Sequence, residues 1–112
     1  MRVAIPAKGK EFCLHFNNCD QFAIVEISTG TKQILDACFK TPPSLNLHIL
    51  PRWFREIGID IILVGGMDHH VKKFWSKNDI EIRVGFLESS IKGVIKKFIA
   101  SQISPGNTIE TK

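Results

Sequence analysis

The run Asp60-Ile61-Ile62-Leu63-Val64 constrains this chain more than any other stretch. Ile61 to Val64 are all β-branched or Leu, with no polar alternation, which marks a strand covered on both faces inside a layered α/β sheet. Gly65-Gly66 stops it. A chain built round such a strand needs helices on both sides of one sheet. With 112 residues at 44% hydrophobic content, it supplies the core of one domain and no second.

The flanking sequence divides accordingly. Residues 2–5 form a short apolar run stopped by Pro6, and residues 7–20 read as a loop rich in Gly, Lys, Asn and Cys. Residues 21–27 and 32–38 read as strands of a hairpin about the turn Ser28-Thr29-Gly30-Thr31. After the break at Pro42-Pro43, residues 47–57 carry Leu50, Phe54 and Ile57 along one stripe of a helix, with Pro51 tolerable only near the first turn. A second helix is expected over 68–77 with Val71, Phe74 and Trp75 inward, and a strand over 80–84. A last helix spans 88–102, with Ile91, Val94, Ile95, Phe98 and Ile99 on its apolar side. Residues 1–103 thus form the domain, and 104–112 are expected to fray as a flexible C-terminal tail.

The order is βββαβαβα. Right-handed crossovers set the fourth strand beside the first and parallel to it. The expected result is a five-stranded mixed sheet, order 3-2-1-4-5, with helices on both faces.

On this topology the side chains with soft or borderline metal affinity come together. Cys13, His15, Cys19, Cys38, His48, Met67, His69 and His70 all fall at junctions between elements, where scaffolds build sites. The loop after the first strand, the end of the third and the Gly-Gly exit of the fourth share one edge of the sheet. The crevice between the first and fourth strands, where strand order reverses, is where open sheets bind ligands. Thiolates and imidazoles suit iron-sulfur, copper or zinc, and the lack of a carboxylate cluster argues against magnesium or calcium. Cys13 and His15 project to one side of an extended segment, a usable chelate. His15 is the first candidate ligand, followed by Cys13, Cys19 and His48. Gly65, Gly66, Met67, His69 and Lys8 are candidates for contacting the cargo. Of His69 and His70 at most one should reach the crevice, since helical neighbours diverge by about 100°. The competing reading is structural: cysteine is among the most buried residues, and a Met after Gly-Gly often serves packing.

Other function classes find less support. A nuclease with two metals needs converging carboxylates, but the first strand contributes none and Asp60 lies at the wrong end of its strand. A Cys/His nucleophile pair lacks a local signature. The net charge of +4 favours an anionic partner, but no aromatic-basic platform for nucleic acid is evident, so nucleic acid is not expected. Residues 57–67 form the longest apolar segment, too short to span a bilayer, and no membrane partner is expected. An odd count of three cysteines without framework spacing fits free thiols or ligands in a reducing cytoplasm.

Four segments also carry a resemblance. His15-Phe16-Asn17-Asn18-Cys19-Asp20-Gln21-Phe22 resembles the His-Phe-Gly loop of the nitrogenase iron-molybdenum cofactor biosynthesis family. His48-Ile49-Leu50-Pro51 is similar to its His-x-x-Leu-Pro helix, and residues 58–67 are similar to its strand ending in Gly-Gly-Met. Residues 80–85 match its closing strand in type, so the likeness covers roughly residues 1–100. Asn17 departs from the family Gly, and Asp68-His69-His70 replaces its usual small residues. The resemblance implies a ribonuclease-H-like fold and a protein that is not an enzyme. It would bind or carry an iron-molybdenum or other metal-sulfur cluster and exchange it with cofactor-assembly or acceptor proteins. The alternative is a small regulatory or protein-interaction module that has kept the fold without cargo.

Overall fold

Hydrophobic runs and their breaks resolve, in a computed structural model describing residues 1–14 and 16–103, into six strands and three α-helices. In chain order these are β1 (Arg2–Lys8), β2 (Glu11–Phe12), β3 (Gln21–Ile27), β4 (Ile34–Lys40), α1 (Leu50–Glu56), β5 (Ile61–Leu63), α2 (His69–Lys77), β6 (Glu81–Arg83) and α3 (Ile91–Ile103). One sheet holds all six strands in the order β4-β3-β1-β5-β6, with β2 added onto β1. β1 pairs antiparallel with β3 and parallel with β5, and β5 is parallel to β6. The expected 3-2-1-4-5 order is therefore present. The expected residues 104–112 of the tail lie outside the described residues.

The sheet has six strands where five were expected, because the predicted loop over 7–20 folds back on itself. Gly9, at φ +62°, allows a two-residue turn that sets Phe12 opposite Ala7 and Glu11 opposite Lys8. β1 also runs through Pro6 rather than stopping there. Met1 and Ile27 exchange backbone hydrogen bonds of 2.9 and 2.7 Å, so odd-numbered residues of β1 face β3 and even-numbered ones face away. The missing N–H of Pro6 thus falls on the side away from β3, and its carbonyl accepts from the Cys13 amide at 3.0 Å.

Helices cover both faces, as the unalternating β5 requires. On one face Ala4, Phe22, Ile24, Ile62 and Val64 meet Leu50 and Phe54 of α1 and Trp75 of α2. Phe54 stacks edge-on against Phe22 and Trp75, with centroids 5.1 and 5.4 Å apart. The buried Trp75 indole satisfies its N–H on the Leu47 carbonyl at 2.9 Å. On the other face Val3, Ile5, Val25, Ile61 and Leu63 pack under Val94, Ile95 and Phe98 of α3. No helix among the described residues is long and apolar enough to cross a membrane.

Candidate functional site

Parallel pairing of β1 with β5 extends only over Val3↔Ile61 and Ala4↔Ile62. Past Ala4 the edge of β1 is taken by β2 and by the Cys13 amide, so the two parallel strands part toward their C-terminal ends. A crevice of about 370 Å³ opens there. Leu14 and Phe16, from the segment after β2, form one wall. Gly65, Gly66, Met67 and Asp68, leading from β5 into α2, form the floor. Val71 of α2 and Leu87, beyond β6, complete it.

Gly65 sets the closeness of these walls. A Cβ on it would lie 2.5 Å from Leu14 Cδ1 and 2.9 Å from the carbonyl oxygens of both Leu14 and Phe86. The two segments approach because residue 65 has no side chain. Gly66 faces open space instead. The Gly85 amide donates to the Gly65 carbonyl at 3.0 Å and Phe86 to that of Val64 at 3.3 Å, tying the Leu87 segment to the β5 exit. On the α2 side, Asp68 Oδ1 accepts from the His70 amide at 2.8 Å as the helix N-cap.

The candidates from sequence separate in space. Gly65, Gly66 and Met67 line the crevice. His15 lies outside the described residues. His69 and His70 are exposed in the first turn of α2, their rings 6.2 Å apart, and neither lines the crevice. His48 is exposed and rests its ring on Phe74 at 4.8 Å. Lys8 is exposed at the β1–β2 hairpin. Cys13 and Cys19 are buried in the core that holds Phe16, Phe22 and Trp75. Burial, with the Cys13 and Asp20 side chains beside it, pushes the Cys19 thiol up to about 11. At neutral pH Cys19 is therefore a protonated core thiol, and a metal would have to displace its proton. Cys38 lies within β4, not at its end, and is exposed on the outer strand of the sheet.

Among the described residues no three His, Cys, Asp or Glu side chains group closely enough to hold a metal ion. The crevice is instead walled by Leu14, Phe16, Val71 and Leu87, with one thioether, Met67, and one carboxylate, Asp68. It can hold a soft, weakly hydrated body by contact, through apolar surface and a polarisable sulfur. Leu14 and Leu87 were not singled out by sequence reasoning. Their signal was weak, since both fall in segments without periodicity, and only their exposure of 42% and 75% beside a crevice marks them.

The sequence profile of the dinitrogenase iron-molybdenum cofactor family matches residues 1–101. No curated protein matches the chain. Among solved structures, PH0822 superposes with a TM-score of 0.78 at 25% identity, covering 90% of this chain and 92% of its own. MJ0327 of Methanocaldococcus jannaschii gives 0.71 at 20% identity, over 91% and 90% of the two chains. The apo form of the orange protein from Desulfovibrio gigas gives 0.69 at 13% identity, over 90% and 88%. The last two likenesses show a shared fold.

Proposed function

Since this chain belongs to the dinitrogenase iron-molybdenum cofactor family, we propose that it binds and carries an iron-molybdenum or other metal-sulfur cluster, without catalytic turnover, in the crevice between β1 and β5. The observation that carries this reading is the crevice itself: about 370 Å³, open where β1 and β5 part, soft and apolar in its lining, and floored by Gly65-Gly66-Met67. Sulfide-faced clusters are polarisable and tolerate apolar walls, and a thioether is a fitting soft contact. Among the described residues, Asp68 is the one titratable side chain in the lining, and it already caps α2, which supports a role in holding cargo rather than in acid-base turnover.

In this reading the fold is of the ribonuclease-H-like kind and the protein works in the cytoplasm, where cofactor-assembly or acceptor proteins load and unload it. His15, adjoining Leu14 and Phe16 of the crevice wall, is the ligand that would anchor the cluster. Cys13 and Cys19 are buried in the same core as Phe16. Zinc or copper at the same edge would need His15 together with a second donor such as His48.

The experiment is anaerobic reconstitution with iron and sulfide, with and without molybdate, followed by elemental analysis of the desalted protein. Stoichiometric metal that falls severalfold in His15→Ala and in Met67→Leu, both still folding cooperatively, is the expected result. Metal-free protein under every condition, or metal unchanged in both variants, would overturn it. The high Cys19 pKa and the apolar lining then favour the second reading, a regulatory module that has kept the fold and uses the crevice for a protein partner.

A further inference from the structure

All seven residues of β4 are exposed, so neither helical layer reaches this strand. Ile34, Leu35 and Phe39 leave 49%, 63% and 41% of their surface in water. β4 is also the end of the sheet: among the described residues no strand pairs its outer edge. Such an edge presents backbone donors and acceptors for another strand.

Which groups it presents follows from the ladder. The Met1–Ile27 exchange of hydrogen bonds means that Phe22, Ile24 and Glu26 of β3 point their amides at β4. Their partners Lys40, Cys38 and Asp36 therefore face inward, and Ala37 and Phe39 turn their N–H and C=O groups outward. Residues 36–40 pair with β3 one for one, and the register shift lies beyond them, next to Glu26/Ile27. The presented segment is regular.

We propose that β4 pairs with β4 of a second copy of this chain, antiparallel, about a two-fold axis through Cys38. The sequence Asp36-Ala37-Cys38-Phe39-Lys40 is complementary to itself in that register. Asp36 falls opposite Lys40 of the other copy, twice over, on the sheet face shared with Ile24. Ala37 falls opposite Phe39, also twice, in hydrogen-bonded pairs whose outward amides complete the ladder. Cys38 falls opposite Cys38 in the closer, non-hydrogen-bonded kind of pair. Asp36 is opposite Glu26 within its own chain, and the incoming lysine offsets that like-charge neighbour. The interface is isologous, closes at two copies, and covers the exposed Phe39. It joins two sheets into one and leaves the crevice, three strands away, open.

The test is sedimentation velocity on the full chain with reductant, using charge reversal. Asp36→Lys and Lys40→Asp each set like charges opposite one another at both ends of the pairing. Each variant alone is expected to be a monomer, its dimer dissociation constant raised about tenfold or more. An equimolar mixture is expected to restore the dimer as a heterodimer, because the introduced Lys at 36 then meets the introduced Asp at 40 in one pair and the native Lys40 meets the native Asp36 in the other. Diamide should link wild-type chains through Cys38. Each of the two thiols gives up its proton as the S–S bond forms, and diamide is reduced to the hydrazine by two electrons and two protons. Cys38→Ser should abolish the link and keep the non-covalent dimer. A monomeric wild type at all concentrations would overturn the proposal, and so would single variants that dimerise like wild type or a mixture that stays monomeric.

Discussion

At the scale of single residues, Gly65 and Gly66 look alike in sequence and differ in the fold. Both stop the strand before them, and both are candidates for contacting the cargo. Only Gly65 is closely approached, with two carbonyl oxygens 2.9 Å from the place a Cβ would take. The Leu14 side chain can swing aside, but the Leu14 and Phe86 carbonyls belong to the backbone and cannot. Gly65→Ala should therefore cost about 1–3 kcal/mol of unfolding free energy in urea and narrow the crevice. Gly66→Ala, with nothing within 4 Å, should stay near wild type. Equal losses in the two variants would mean that the crevice wall is not set by this contact. Sequence could not separate the pair because the obstacle to residue 65 comes from Leu14 and Phe86, each more than twenty residues of chain away.

At the scale of elements, boundaries moved where a local signal competed with a long-range one. Pro6 reads as a stop in the sequence, but a proline ends a strand only if its N–H is needed, and here that position faces away from β3. The β2 hairpin was hidden because two residues, Glu11–Phe12, are too few to show alternation. The first helix starts at Leu50 rather than 47, after a turn in which the Asn46 carbonyl takes the amides of Ile49 and Leu50 at 3.0 and 3.1 Å. Pro51 then sits in the first turn, where its missing donor costs nothing. For α2 the start was legible to within a residue, since Asp68 is the N-cap. Its carboxylate satisfies the His70 amide at 2.8 Å on the lip of the crevice. Asp68→Ala should cost about 0.5–2 kcal/mol in chemical denaturation, and Asp68→Asn should recover most of it. A loss in Asn as large as in Ala would assign the effect to charge rather than to the cap.

At the scale of the molecule, sheet order was legible because handedness leaves few ways to connect a hairpin to two strand-helix units, and β5 announced two covered faces. The site was legible only as a place. Topology set the β5 exit beside β1 as expected, while side-chain direction, which spacing alone does not settle, turned Cys13 and Cys19 into the core and His48 onto Phe74. The same layering makes the two faces unequal. One carries α1, α2 and both tryptophans; the other depends on α3, through Val94, Ile95 and Phe98. Phe98 is 1% exposed and is the largest fully buried side chain of α3. Phe98→Ala should cost about 3–5 kcal/mol, against a total of about 5–15 kcal/mol for an ordinary domain. Tryptophan emission reports only the α1–α2 face, whereas far-ultraviolet circular dichroism reports all three helices. If the sheet couples its two faces into one cooperative unit, both signals will move to lower denaturant together in this variant, with coincident midpoints. Dichroism falling ahead of the emission would instead show α3 leaving a sheet that its other face still holds together.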